Sequence, residues 1–165
     1  MGNYFTVEVT AGAIVEKDGK ILIVQEKNHP NRPGPALVLT QPSGHMEDNE
    51  DIFDALTREV LEETGYTVEP EAFLGIYTKR WPDKTAIRFS FVCRLTDIPP
   101  TKVEDKYVTD VLWMTREEIQ ARKSEFRVGA TENTFRDYFT GKRFPLDMVQ
   151  YINTDRRQEE SGEKG

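Results

Sequence analysis

The chain has 165 residues, 31% charged and 37% hydrophobic, with a mean hydropathy of −0.63, which suits one domain with a real core and excludes a protein embedded in a bilayer. Its formal net charge of −7 argues against a polymeric nucleic acid as the main ligand, because a basic face that neutralises phosphates supplies most of that affinity. No apolar run approaches the length of a transmembrane helix, the opening MGNYFTVEVTAGAIV has neither a basic n-region nor a cleavage site, and one cysteine offers no disulfide framework, so the cytoplasm is the expected compartment.

Residues 4–15 and 20–26 read as strands joined by the hairpin turn Lys17-Asp18-Gly19-Lys20. The Pro- and Gly-rich NHPNRPGPA is a loop, and the short strand LVLTQ leads through Pro42-Ser43-Gly44 towards the segment DIFDALTREVLEET. That segment is expected to be a helix, starting at Asn49 or Glu50 and stopped by Gly65 in a left-handed conformation. Strand candidates follow at 73–80 and 86–95, separated by Trp81-Pro82-Asp83-Lys84, with Cys93 a buried small hydrophobe in FSFVC. PPTKVEDK is a connecting loop before the strand YVTDVLWM. Thr115 and Glu118 form a capping box for a helix to about Lys123. Thr131 is expected to open a further helix with Phe135, Tyr138 and Phe139 on one side. The pattern gives an α/β class, one domain over 1–155, and a charged, frayed tail at 156–165.

Chemistry concentrates in residues 44–66. At about 100° per residue, Ile52, Leu56, Glu59, Val60 and Glu63 share one stripe of the helix, with Glu62 on its flank. A solvated acidic face is the ordinary reading of such a run, but here the carboxylates continue the side that faces the core. Two carboxylates about 4 Å apart repel by roughly 4 kcal/mol at an effective dielectric near 20, so a half-buried cluster requires cations. Carboxylate oxygens without His or Cys partners select a hard ion, Mg²⁺ or Mn²⁺ rather than Zn²⁺ or copper.

Gly44, Glu50, Arg58, Glu59, Glu62, Glu63 and Gly65 also stand in one register, G-x5-E-x7-R-E-x-x-E-E-x-G. With frequencies of roughly one in fifteen per position, seven matches arise by chance on the order of once in a hundred million windows. The pattern resembles the Nudix box, the signature of enzymes that hydrolyse a nucleoside diphosphate linked to another group; Tyr66 departs from it, standing where an aliphatic residue is usual. The resemblance implies an α/β/α sandwich with a central mixed sheet. It implies metal binding by Glu59, Glu62 and Glu63, with the backbone carbonyl of Ser43 as a further ligand, Arg58 orienting the acids, and Glu50 in a structural or outer metal role. In the family the general base lies on the box helix or on a later loop: Glu59 is the first choice, with Glu104, Asp105 and Asp110 as the later candidates.

QPSGH (41–45), WPDKTAIRFSF (81–91) and GKRFPLDMV (141–149) are similar, at matching places, to the NudJ-type Nudix phosphatases, a group associated with releasing phosphate from nucleoside tri- and diphosphates and from a thiamin-precursor pyrimidine pyrophosphate. Leu39, where that group tends to have Trp, and a longer 28–36 loop are departures. Trp81, Lys79, Arg80, Lys84 and Arg88 form a basic and aromatic cluster in which a base could stack on Trp81 for roughly 1–3 kcal/mol while cations hold phosphates. His45 either approaches a phosphate or makes a structural hydrogen bond. The expected activity is Mg²⁺-dependent hydrolysis of a small nucleotide; ADP-ribose or dinucleoside polyphosphate hydrolysis, and a sensor that binds without cleaving, are the alternatives. Such sensors commonly lose box acids, and here all are present.

Overall fold

The computed structural model describes residues 6–152 apart from 33 and 83; the expected charged tail lies outside the described residues. The first strand, β1 (Val7–Lys17), turns into β2 (Lys20–Lys27) through Asp18 and Gly19, whose φ of 51° and 75° supply the left-handed pair that a two-residue hairpin turn needs. The two strands pair only at the turn, Glu16 with Ile21 and Lys17 with Lys20, and then splay apart. Away from the turn, β1 pairs in parallel with β6 (Thr85–Leu95), from Val7 opposite Thr85 to Val15 opposite Cys93. β2 pairs instead with β3 (Leu37–Thr40) and β7 (Val108–Met114), both antiparallel. The chain crosses the splay between β2 and β1 at Gln41-Pro42 and re-pairs with β1 as β4 (Ser43–His45), the Ala13 N–H donating to the Pro42 carbonyl. The box therefore begins where the sheet divides.

β5 (Val68–Arg80) completes the sheet as an edge strand on β6. It starts five residues earlier than the sequence suggested. Pro70 lacks a ladder donor, but an edge strand tolerates that, and register shifts between Pro70 and Ala72 and between Phe73 and Gly75 absorb the irregularity. Central strands are apolar on both faces, as Thr10 to Val15 of β1 are buried without interruption. Ala11, Ala13, Val15, Phe91 and Cys93 pack under α1 (Ile52–Thr64). Ile14, Ile23, Leu74 and Val92 point the other way, with Ile119 of α2 (Arg116–Ala121) and with Phe135 and Tyr138 of α3 (Ala130–Phe139). The result is the expected α/β/α sandwich around a mixed sheet. Among the described residues no helix is long and apolar enough to cross a membrane.

Helix boundaries agree with capping chemistry more than with the first acidic residues. α1 is capped by Asp51, not Asn49 or Glu50: the Asp51 carboxylate accepts from the Phe53 and Asp54 N–H groups at 2.7 and 2.9 Å. Asn49, with φ 63°, has the wrong backbone for an N-cap. Gly65 closes the helix at φ 75°, donating to the Leu61 carbonyl at 2.7 Å. The Thr115–Glu118 capping box forms as expected. Thr131, by contrast, does not cap α3; its hydroxyl lies 3.3 Å from that of Thr40 in the interior, and Gly129 precedes the helix without a side-chain cap.

Candidate active site

Gly44 bares the β4 backbone towards α1. A Cβ there would lie 2.0 Å from the Glu59 carboxyl carbon, so only glycine lets that carboxyl rest on the strand. Arg58 gathers the remaining acids. Its Nε and Nη2 reach both Glu50 oxygens at 2.5 and 3.0 Å, Nη1 reaches Glu59 at 2.9 Å and Glu62 at 3.3 Å, and Nη2 also holds the His45 carbonyl at 2.8 Å. The Arg58 hydrogen bond holds the Glu50 carboxyl below the usual range. Burial has the opposite effect on Glu59, raising it against the pull of Arg58.

Glu63 is turned inward, 4% exposed, with one oxygen taking the Ser43 N–H at 2.8 Å. Desolvation raises its pKa well above a normal carboxylate, and Glu26, Glu59 and Asp105 add to the effect. No trio of acidic, His or Cys side chains among the described residues is already arranged as a metal cage. The donor set itself fits a hard divalent ion: Glu59 and Glu63 are oxygen donors under a desolvation penalty that a cation at their free oxygens would relieve.

These acids open into a cleft of about 910 Å³. Strand register builds its base as rows across the sheet. His45, Thr10, Arg88 and Tyr77 are successive partners over β4, β1, β6 and β5, and Glu8, Ala86 and Lys79 form the next row over β1, β6 and β5. All seven line the cleft. Arg88 points into it with one side-chain hydrogen bond among the described residues, from Nε to the Thr10 hydroxyl at 3.3 Å. Desolvation, then repulsion from Arg127, pushes its pKa down to about 10, against the opposing pull of Glu63 and Glu26.

The other sequence candidates divide. Trp81 begins the β5–β6 turn, its N–H donating to the Lys84 carbonyl, and belongs to neither buried cluster. The Lys79 ammonium sits 4.0 Å from the Trp81 ring centroid and donates to the Val128 carbonyl at 3.1 Å. Lys84 is committed to Glu8 at 2.7 Å and Arg80 is exposed on the alternate side of β5; neither lines the cleft. His45 is mostly exposed, 3.6 Å from Glu8, and its carbonyl rather than its ring serves the box. Of the later acids only Asp105 reaches the cleft, its loop pinned to α1 where the Glu104 and Asp105 N–H groups donate to the Glu62 carbonyl. Asp110 is exposed, its carboxylate taking its neighbour's N–H.

Among the cleft residues that escaped sequence reasoning, Glu26, Arg32, Tyr77 and Arg127 carry the most chemistry. Glu26, buried near the end of β2, forms an ion pair with Arg127. Its one available signal was phase, since Glu26 falls on the face of Leu22 and Val24. Tyr77 donates to Asp137, itself held by Lys142 and Arg136, so the phenol is fixed from behind.

Residues 6–134 match the family described as NUDIX domain. Over 150 residues, 90% of this chain and 94% of the other, the chain is 35% identical to the phosphatase NudJ of Shigella boydii. Among solved structures it is similar to a NUDIX hydrolase from Nitrosomonas europaea, with a TM-score of 0.79 and 37% identity covering 89% of this chain and 98% of that one. An ADP-ribose pyrophosphatase from Streptococcus suis shares the fold at a TM-score of 0.60 and 16% identity, over 88% of this chain and 96% of that one.

Proposed function

The chain belongs to the Nudix hydrolase family, and from that premise we propose that it is a NudJ-like phosphatase that releases orthophosphate from nucleoside tri- and diphosphates. Nudix hydrolases generally use divalent metal ions and act on small nucleotides. The observation that carries the finer reading is the meeting, in one cleft, of Glu59 and Glu63 with Arg88, a half-buried cation that has no ion-pair partner among the described residues. A phosphate chain supplies the missing charge. Thirty-five per cent identity over nearly the full length of a named phosphatase supports the same choice.

In this reading Glu59, Glu62 and Glu63 hold Mg²⁺ or Mn²⁺, with the Ser43 carbonyl as a further ligand and Glu50 outside them. When bound, the ion neutralises phosphoryl oxygens and polarises the phosphorus. Arg58 keeps Glu59 and Glu62 oriented between turnovers. Water attacks the terminal phosphorus, the phosphoanhydride bond breaks, and the proton passes to a carboxylate. Glu59 is our first assignment for that base, because it lies within the box and lines the cleft; Asp105, which also lines the cleft, is the second. Arg88 grips the uncleaved phosphates, and Trp81 with Lys79 offers a ring face for the base. Arg80 and Lys84 are left out of the binding set. The test is product analysis on a panel of nucleotides with and without Mg²⁺. Orthophosphate appearing first from nucleoside triphosphates is expected; pyrophosphate and a monophosphate as first products would reject the phosphatase reading.

A further inference from the structure

In a chain with a net charge of −7, Arg32, Lys79, Arg88 and Arg127 line one cleft. They crowd one another: desolvation and then repulsion from Arg127 lower the pKa of both Arg32 and Arg88, and desolvation and then repulsion from Arg32 lower that of Lys79. Of these cations only Arg127 has an ion-pair partner among the described residues, and that partner is Glu26. The pair is firmly placed. Phe126 bridges Leu39 in parallel, the Arg127 N–H donates to the Leu39 carbonyl at 2.9 Å, and on the neighbouring strand Glu26 is paired with Val38.

Neither member is well served by the other. Glu26 is 7% exposed, and burial outweighs Arg127 in its carboxyl, which stays above the usual range. The Arg127 Nε is buried and has no hydrogen-bond partner among the described residues. A buried ion pair of this kind roughly breaks even against its desolvation, so a ligand of higher charge can replace one member. A guanidinium has five donors in a fork that matches phosphate oxygens.

We propose that Arg127, together with Arg88 and Arg32, forms a specificity-determining subsite for the phosphates that are not cleaved, and that Glu26 is the stand-in counter-ion that a phosphate chain displaces. The proposal rests on the reading of the cleft as a phosphohydrolase site, and it names how that cleft selects. Esters of di- and triphosphate with a free terminal phosphate carry more negative charge than diphosphates esterified at both ends, and the arginine subsite favours the former. Glu26 sets a threshold, since a weakly charged ligand does not compete with a carboxylate already in place.

The experiment is calorimetric titration of the full chain with inorganic tripolyphosphate in EDTA, which keeps metal binding and turnover out of the measurement. Arg127→Gln is expected to weaken binding about tenfold or more, as loss of a charged hydrogen bond does, and to flatten its salt dependence; Arg127→Lys falls between. Glu26→Gln is expected to tighten binding several-fold, because a repelling charge leaves the cleft. Thermal unfolding of each variant separates folding from binding, and Arg127→Lys gives the readout if Arg127→Gln does not fold. Unchanged affinity in both Arg127 variants, or no binding by the unsubstituted chain, overturns the subsite. Weakened affinity in folded Glu26→Gln overturns the stand-in role and makes Glu26 a positioning residue for Arg127. Failure to hydrolyse nucleoside triphosphates, with these titrations as expected, would instead count against the phosphatase reading alone.

Discussion

Glu63 is the residue at which burial and chemistry conflict most. Its folded pKa is raised above the unfolded value, so the ionised group subtracts from stability at neutral pH, and the loss disappears as pH falls through the folded pKa. Metal-free Glu63→Gln is therefore expected to unfold at the same or a higher temperature than the unsubstituted chain near neutral pH, with a flatter dependence on pH. Turnover should fall by about 10² to 10⁴; an unaltered rate would remove Glu63 from the metal set. Trp81→Ala tests the ring at the turn. As Trp81 lies in neither buried cluster, the expected effect is on KM, equivalent to roughly 1–3 kcal/mol of uniform binding, with little change in unfolding. A stability loss of several kcal/mol with intact kinetics would mean that the ring is packing. The acids of α1 were legible because a helix repeats its faces within a few residues. Glu26 and Arg127 were not, since each stands among other polar and charged residues, Gln25 and Lys27 or Lys123 and Glu125, that look like ordinary surface, and its partner arrives from a distant element.

At the level of the element, α1 was legible almost to the residue, because capping is local chemistry. Asp51→Ala should cost about 0.5–2 kcal/mol. Gly65→Ala should cost more: φ is 75°, and a Cβ there would lie 2.1 Å from the Thr101 carbonyl oxygen, a backbone atom that cannot rotate away. Urea unfolding of the two variants checks the order, and equal losses would show that the loop at Thr101 yields. Thr101 also donates its N–H to the Gly65 carbonyl, so this contact ties the connection after β6 to the end of the helix that carries Glu62 and Glu63. The start of β5 was missed for the opposite reason. Pro70 and its glutamate neighbours read locally as a breaker, while the edge position that permits them is a property of the sheet.

For the whole molecule, the box spacing made the sandwich foreseeable, whereas the cleft is a product of register between strands that no window of sequence contains. Exhaustive EDTA treatment is expected to abolish hydrolysis and added Mg²⁺ or Mn²⁺ to restore it; activity that survives chelation would place catalysis outside the box. The same long-range construction orders events in time. Thr10 meets Arg88 across 78 residues and Thr40 meets Thr131 across 91, whereas the first hairpin and α1 close within short stretches. Loop-closure entropy delays such distant pairings, and parallel strands feel it most. On a ribosome, the acids of α1 emerge well before Arg88 and Arg127, so the nascent chain displays a cluster of carboxylates before it owns the arginines that face them. The cleft therefore depends on pairings that only the later half of the chain supplies, and without β6 beside β1 the row of Thr10, Arg88 and Tyr77 that floors it does not exist.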